Sequence, residues 1–311
     1  MSTQTLVIVN PASAGGRTRD EWPAIEAALR AANVEFDARM TAGPGDATRI
    51  ARAALHSGVL RVVACGGDGT LNEIVSAYLD DAGAPIAPAA AVGLLPSGTG
   101  GDFRRTAGIP ADPAGAAAVL AGGHTRQIDA GIIEYDGGAS RVFLNIADCG
   151  VGGEVVRRVN AAKRKPRGGM AYLMAVMRTV LTYPPIPTRV EVDGVPLEGA
   201  MASVVVANGC FFGGGMHIAP HAELADRELD VIIGCVGRIR SITGSRHVYK
   251  GEHLGRPGTF ALRGREIRIT PLGATEMPFD VDGEHLGAAP ATVRVLPGAV
   301  RLCAPSQPGL R

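Results

Sequence analysis

The sequence predicts an α/β domain with a mostly parallel sheet over residues 1–125, followed by an antiparallel β domain, a sandwich or a barrel, over 126–311. Three observations carry this. The 311 residues exceed what one hydrophobic core usually organises, so two domains are expected. Up to about residue 125, continuous apolar runs of strand length alternate with longer helical stretches, the pattern of parallel strands covered on both faces. From about 126, short strands punctuated by Gly, Pro and Asp take over, which reads as an antiparallel sandwich or barrel.

In chain order, LVIVN (6–10) is a strand and 20–32 a helix, VEFDARM (34–40) a strand and 46–56 a helix. VLRVVACG (59–66) is a strand, followed by a helix over 71–79, the strand AAVGLLPSG (90–98) and a helix over 112–121. The second region offers RQIDAGIIEY, RVFLNIADCG, TRVEVDG, MASVVVANG, LDVIIGC, TFALRG, REIRITP, TEMPFDVDGE and TVRVLPGAVRL as strands. One helical interruption spans 150–183. The boundary near 125 rests on the change of period alone, and the pattern leaves open whether the final strands return to the first domain.

Composition narrows the function classes. Lys and Arg number 31 against 30 Asp and Glu, a net charge of +1, which argues against a nucleic-acid-binding surface. The start MSTQTLVIVN has neither the basic nor the apolar segment of an export signal, and no apolar run approaches the length of a membrane span. A cytoplasmic location is therefore expected. Cys65, Cys149, Cys210, Cys235 and Cys303 are scattered singly, as small buried hydrophobes in a reducing compartment would be. Glycine is the unusual quantity: 43 residues, about twice ordinary usage, call for an explanation by position.

Three strand-end segments supply one. CGGDGTLNE (65–73) follows an apolar strand and precedes a helix, so its glycines allow a tight turn and bring backbone N–H groups toward phosphate oxygens at a helix N-terminus. Asp68 is placed to hold magnesium through water or to organise the loop, and Thr70 and Asn72 to donate to phosphate. An ordinary βα turn is the structural alternative. The segment is neither GxGxxG nor GxxxxGK[ST], so both common nucleotide motifs fail as written. LLPSGTGGDF (94–103) is a second such turn, with Thr99 as a contact and Asp102 beneath it. VNPASAGG (9–16) is a third, with Asn10 as donor. Loops at the carboxyl ends of parallel strands form the crevice in which open α/β sheets bind ligands, and together they point to a nucleotide site.

GGDGT with Asn72 and Glu73, SGTGGDF, NGCFFGGGMHIAP, YKGEHLGRPG and FDVDGE, in this order, resemble the diacylglycerol kinase catalytic-domain family, in particular its bacterial soluble lipid kinases, relatives of NAD and sphingosine kinases. The likeness runs from Asn10 to about His285. It implies an ATP-binding α/β domain, a β-sandwich domain, an active site in the interdomain cleft, and phosphoryl transfer from ATP to a lipid hydroxyl, usually of diacylglycerol. It further implies ATP contacts at Asn10, Thr41, Gly66, Gly67, Asp68, Gly69, Thr70, Leu71, Asn72, Glu73 and Thr99. Asp282 matches the general base, with Glu284 supporting it. Asp226 matches a magnesium-associated acid whose companions are the carbonyls of Glu223 and Glu228. Asp102 and Asp129 match acids of an internal polar, metal-linked network. The sequence departs from the family at Gly101, where an Asn is usual, at Ala225 and Arg227 beside Asp226, where Asp and Gly are common, and at Asp46, where His is frequent. The departures beside Asp226 put metal occupancy there in doubt; neither GGDGT nor Asp282 is lost.

On its residues alone, Asp282 is equally a β-turn aspartate before glycine. Arg157, Arg158, Lys163, Arg164, Lys165 and Arg167, followed by GGMAYLMAVMRTVLTY, suit an anionic membrane surface and lipid entry, or else a solvated helix face and a core helix. Gly213–Gly215 either shape a loop near an acyl chain or form a bend. The histidines lack metal-site spacing, and no serine-hydrolase motif occurs. The leading expectation is a lipid kinase using ATP and Mg²⁺, peripherally associated with the membrane. NAD kinase and a nucleotide-responsive membrane-binding protein with little catalysis are the competitors, and a homodimer is left open.

Overall fold

The computed structural model describes residues 4–80, 82–97, 101–161, 169–235 and 245–306. Two compact units emerge: unit 1 comprises 1–130, 224–226 and 296–311, and unit 2 comprises 131–223 and 227–295.

Unit 1 opens with β1 (Thr5–Val9), α1 (Arg17–Ala31), β2 (Asp37–Met40), α2 (Asp46–His56), β3 (Arg61–Gly66), α3 (Asp68–Tyr78), β4 (Ala91–Pro96), α4 (Asp102–Ala107) and α5 (Pro113–Gly122). The strands pair in parallel in the order β2-β1-β3-β4, with Val62 opposite both Leu6 and Val92. Val7, Val9, Val63, Cys65 and Leu95 pack on Trp22, Ile25 and Leu29 of α1 and on Leu120 of α5. The near-continuous apolar strands follow from that double coverage. Two boundaries shift from expectation for local reasons. Only Asp37–Met40 of the VEFDARM run is strand, because the amide of Val34 bonds the carbonyl of Leu29 and closes α1. α3 begins at Asp68 rather than near residue 71, an acidic residue in the first turn being favoured by the helix dipole. The DGTLN segment is thus helix, and the connection between β3 and α3 shrinks to Gly67.

β5 (Thr125–Tyr135) carries the chain out of unit 1. Unit 2 then follows with β6 (Ser140–Phe143), β7 (Ile146–Gly150), α6 (Val151–Ala161), α7 (Gly169–Thr182), β8 (Ile186–Val192), β9 (Val195–Met201), β10 (Ser203–Ala207), β11 (Phe211–Phe212), β12 (Met216–His217), β13 (Leu229–Gly234), β14 (Thr259–Gly264), β15 (Glu266–Pro271), β16 (Met277–Val281), β17 (Glu284–Ala289) and the start of β18 (Ala291–Cys303). One antiparallel sheet runs β18-β15-β8-β9 and the other β14-β13-β10-β7-β16-β17. Their inward residues, Val190, Val204, Val231, Ile267 and Phe279 among them, share one core, the arrangement of a sandwich. The helical interruption expected over 150–183 consists of α6 and α7. The end of β18 returns to unit 1, where Leu302 pairs in parallel with Val92 of β4. No disulfide forms, and among the described residues no helix is long and apolar enough to cross a membrane.

Candidate active site

The carboxyl ends of the unit 1 strands place Thr41, Asn10, Gly66 and Ser97 side by side in sheet order. The amides of Asn10, Thr41 and Ser97 each continue the ladder, bonding the carbonyls of Cys65, Val9 and Gly66. Asn10 donates from Nδ2 to Thr70 Oγ1 at 3.0 Å and accepts from the Ala12 amide at 3.1 Å. Ser13 Oγ accepts from the Gly67 amide at 3.2 Å. Ser97 donates to Glu21 at 2.5 Å and lies 2.8 Å from the Thr18 hydroxyl.

The three glycines of the loop differ in what they need. A Cβ on Gly66 would lie 2.7 Å from Thr70 Oγ1, so the protein itself excludes a side chain there. Gly67 has an extended backbone that any residue adopts (φ −96°), and the nearest atom to its virtual Cβ is Ser13 Oγ at 3.7 Å. Gly69 lies in the first turn of α3, with nothing within 4 Å of its virtual Cβ. Neither position needs glycine for the fold described. Both keep open space beside a helix start whose first amides lack intrahelical acceptors, a geometry suited to close approach of an anionic oxygen.

Behind this opening, Asp68 Oδ2 accepts from the Asp102 amide at 2.9 Å. Burial raises the Asp68 carboxyl above its ordinary range, opposed by the Asp102 and Phe103 amides and assisted by the Asp102 carboxylate. The Asp102 side chain pairs with Arg105. Asp68 Oδ1 and Asn72 Oδ1, four residues apart on one face of α3, are buried with no partner among the described residues. Two unpartnered oxygen acceptors fit a hydrated magnesium ion or ordered water.

Several of the expected contact residues have partners within the protein. Leu71 is packed in the core, and its amide bonds the Gly67 carbonyl. Glu73 Oε2 accepts from the Ala47 amide at 3.1 Å, and its carbonyl accepts from Thr48. Its carboxylate serves the start of α2, whose first-turn amides need acceptors. Thr99 lies outside the described residues. Asp46 at the head of α2 is held below the usual carboxylate range by the Ala42 amide and then by Arg49. Asp129 is buried in unit 1, accepting from the Gly298 amide at 2.6 Å while its own amide bonds the Leu224 carbonyl. The expected metal companions Glu223, Asp226 and Glu228 stand in the stretch between β12 and β13, and Arg263 lies 3.5 Å from Glu228. Among the described residues, no three His, Cys, Asp or Glu side chains form a metal-holding group.

In unit 2, Asp282 and Gly283 form the two-residue turn joining β16 to β17, with φ of 48° and 91°, the left-handed pair of a type I′ hairpin. The Asp282 carboxylate accepts from the amides of Leu144, Asn145 and Ile146 at 2.9–3.1 Å, fixing its direction. Glu284 opens β17, opposite Val281. Arg157 and Arg158 both pair with the buried Glu154, so these two members of the basic cluster have an internal partner; Lys163, Arg164, Lys165 and Arg167 lie outside the described residues. Gly213, Gly214 and Gly215 all have positive φ and turn β11 into β12, which accounts for them as a bend. The His217 ring of this hairpin stacks on Phe211 at 4.3 Å.

Sequence reasoning missed Ser13, Ser97, the buried Asp148 and the partly buried Asp280. The serines stand in segments already singled out. An Asp inside the otherwise apolar run of β7 was the available signal for Asp148.

Comparison with known proteins is consistent with this geometry. The diacylglycerol kinase catalytic domain matches residues 4–133, and the YegS C-terminal NAD kinase beta sandwich-like domain matches residues 145–304. A probable lipid kinase YegS-like from Pseudomonas aeruginosa PAO1 is 33% identical over 97% of this chain and 95% of its own. The chain belongs to the YegS-like lipid and diacylglycerol kinase family. A diacylglycerol kinase from Staphylococcus haemolyticus is 28% identical, covering 96% of this chain and 87% of that protein. A crystal structure of a diacylglycerol kinase from Bacillus anthracis strain Sterne superposes with a TM-score of 0.75 at 26% identity, covering 98% of each chain. The family's α/β domain and sandwich-like domain correspond to the two architectures described, and kinase membership implies use of ATP.

Proposed function

We propose that the protein transfers the γ-phosphoryl group of ATP to a lipid hydroxyl, with diacylglycerol converted to phosphatidic acid as the first substrate. The observation carrying this reading is the pair Gly67 and Gly69, glycines that the fold does not require, at a helix start suited to phosphate. In this reading the Asp68 and Gly69 amides bind phosphate oxygens, and Asn10 holds Thr70 in place to donate. Phosphoryl transfer asks for alignment and for neutralisation of charge on the phosphate oxygens. Magnesium supplies part of that neutralisation when bound, and Asp68 and Asn72 would hold it through water.

Asp282, oriented by three backbone amides, accepts the proton of the lipid hydroxyl. The hydroxyl oxygen forms the new P–O bond as the bond to the β-phosphate oxygen breaks and ADP leaves. Glu284 supports this turn. Contact with an anionic membrane surface through the 157–167 segment belongs to the same proposal, and it predicts salt-sensitive binding to anionic but not neutral vesicles.

The test is incubation of the purified protein and Mg²⁺ with γ-labelled ATP, separately with diacylglycerol vesicles and with NAD. Label in phosphatidic acid is expected. Label in NADP and none in lipid would replace this reading with NAD kinase. ATP binding with no turnover across a broad lipid panel would leave a nucleotide-responsive binding protein.

A further inference from the structure

Asp280 stands two residues before Asp282, and on β16 it lies directly opposite Asp148 of β7. Phe279, Val281, Ala147 and Cys149 point into the sandwich core. Strand alternation therefore sends both carboxyls to the other face of the sheet, where α6 packs on β7 and β16. Gly152 and Gly153 let the helix approach this closely. A Cβ on Gly152 would lie 2.0 Å from Asp148 Oδ2, and one on Gly153 2.0 Å from the Pro278 carbonyl.

Each carboxyl has a specific bond. Asp148 accepts from Ser203 Oγ at 2.7 Å and from the Gly152 amide. Asp280 accepts from the Gly283 amide at 2.8 Å, which ties it to the turn carrying Asp282. Two acids facing each other, Asp148 buried and Asp280 partly so, resist ionising together. Burial pushes Asp148 up to about 6, against its bonds to Ser203 and Gly152. Burial and then the neighbouring Asp148 push Asp280 up to about 7, against the Gly283 bond, with Glu284 adding to the rise.

Among the described residues, the other groups on this face supply no compensating cation. His285, opposite Asp280 on β17, turns Nδ1 to the Phe279 carbonyl at 3.1 Å. Glu154 on α6 holds Arg157 and Arg158. The buried Tyr183 hydroxyl, which feels the charges of Asp148 and Glu154, has no partner among the described residues.

We propose that Asp280 is a positioning residue for the Asp282–Gly283 turn and that Asp148 raises the pH at which it acts. An ionised Asp280 accepts the Gly283 N–H more strongly than a protonated one. The turn then has two anchors, the 144–146 amides on Asp282 and a pH-dependent one on Gly283. The link to catalysis rests on the reading of Asp282 as proton acceptor.

The experiment follows the Gly283 amide resonance of the full chain by NMR between pH 5 and 9. The wild type should show a step near pH 7. The step should move down in Asp148→Asn and vanish in Asp280→Asn. Ser203→Ala, which weakens the ionised form of Asp148, should move it down by less, and it serves as the second variant should Asp148→Asn fail to fold. A flat wild-type resonance, or a step that neither Asp148→Asn nor Ser203→Ala moves, overturns the proposal. In parallel, the rising limb of lipid phosphorylation against pH should move with the amide step. A shifted step with an unmoved limb overturns the positioning role. If the wild type phosphorylates no lipid at any pH, the kinase reading fails while the amide step still decides whether Asp148 governs Asp280.

Discussion

Unit 2 contains two hairpins of nearly the same sequence, VEVDG at 190–194 and FDVDG at 279–283. Both turn through an Asp-Gly pair with positive φ, Asp193 and Asp282 each at 48°. In both, the turn aspartate accepts backbone amides from a neighbouring segment: Arg265 and Glu266 bond Asp193, and Leu144, Asn145 and Ile146 bond Asp282. Each also has an acid two residues earlier. Glu191 faces Arg268 across the strand pair, whereas Asp280 faces Asp148. Turn geometry and amide bonding therefore do not distinguish a functional aspartate from a structural one. What differs is the like-charged partner of the acid two residues earlier, and because displaced proton affinities cluster where chemistry is done, this is the ground for proposing Asp282 rather than Asp193 as the base.

The largest expected effect breaks the two turns apart directly. Asp282→Asn should lower lipid phosphorylation by about 10²–10⁴-fold, the usual worth of a general base, while Asp193→Asn should leave it within about twofold. Thermal unfolding of both variants checks that each loses only turn stability. Equal rates in the two would remove the base assignment.

The second prediction concerns stability against pH. Asp148 and Asp280 hold protons more tightly in the fold than an ordinary carboxyl does, so their contribution is fully present below about pH 4. It is lost as pH rises through about 6 and 7. Asp280→Asn should therefore be more stable than wild type at pH 8, by about 2–4 kcal/mol, and nearly equal to it at pH 4. Glu191→Gln, whose partner is an arginine, should show no such gain. Denaturant titrations at the two pH values measure both, and a loss at pH 8 in Asp280→Asn would contradict the like-charge account.

A smaller effect sharpens the boundary of the nucleotide site. Glu73→Ala removes the acceptor of the Ala47 amide. It should cost about 1 kcal/mol, as loss of a helix cap does, with ATP affinity within about twofold of wild type. Isothermal titration of ATP beside thermal unfolding checks the pair of expectations, and a large loss of affinity would return Glu73 to the binding site.

What the sequence made legible follows the range of the interaction. Apolar runs between helical stretches announce the parallel sheet, and GGDGT after such a run points to the proposed phosphate site, because strand, turn and helix are contiguous. The start of α3 at Asp68 was missed because glycine argues against helix locally, while an acidic first turn argues for it. Glu73 looked like part of the loop because its real partner, Ala47, lies 26 residues away. The Asp148–Asp280 pair depends on strand register across 132 positions, and no local pattern encodes that. Glycine excess likewise has two sources: Gly213–Gly215 answer to positive φ, whereas Gly67 and Gly69 answer to nothing in the described fold.

That last contrast is the ground of the functional reading, and one measurement tests it most directly: ATP affinity and thermal stability of Gly69→Ala against wild type. The added methyl enters open space at a helical position, so stability should hold or rise by up to about 1 kcal/mol. ATP should bind at least about tenfold more weakly, since 1.4 kcal/mol of lost phosphate contact corresponds to that factor. Unchanged ATP affinity in the folded variant would contradict the claim that this glycine is kept open for a nucleotide.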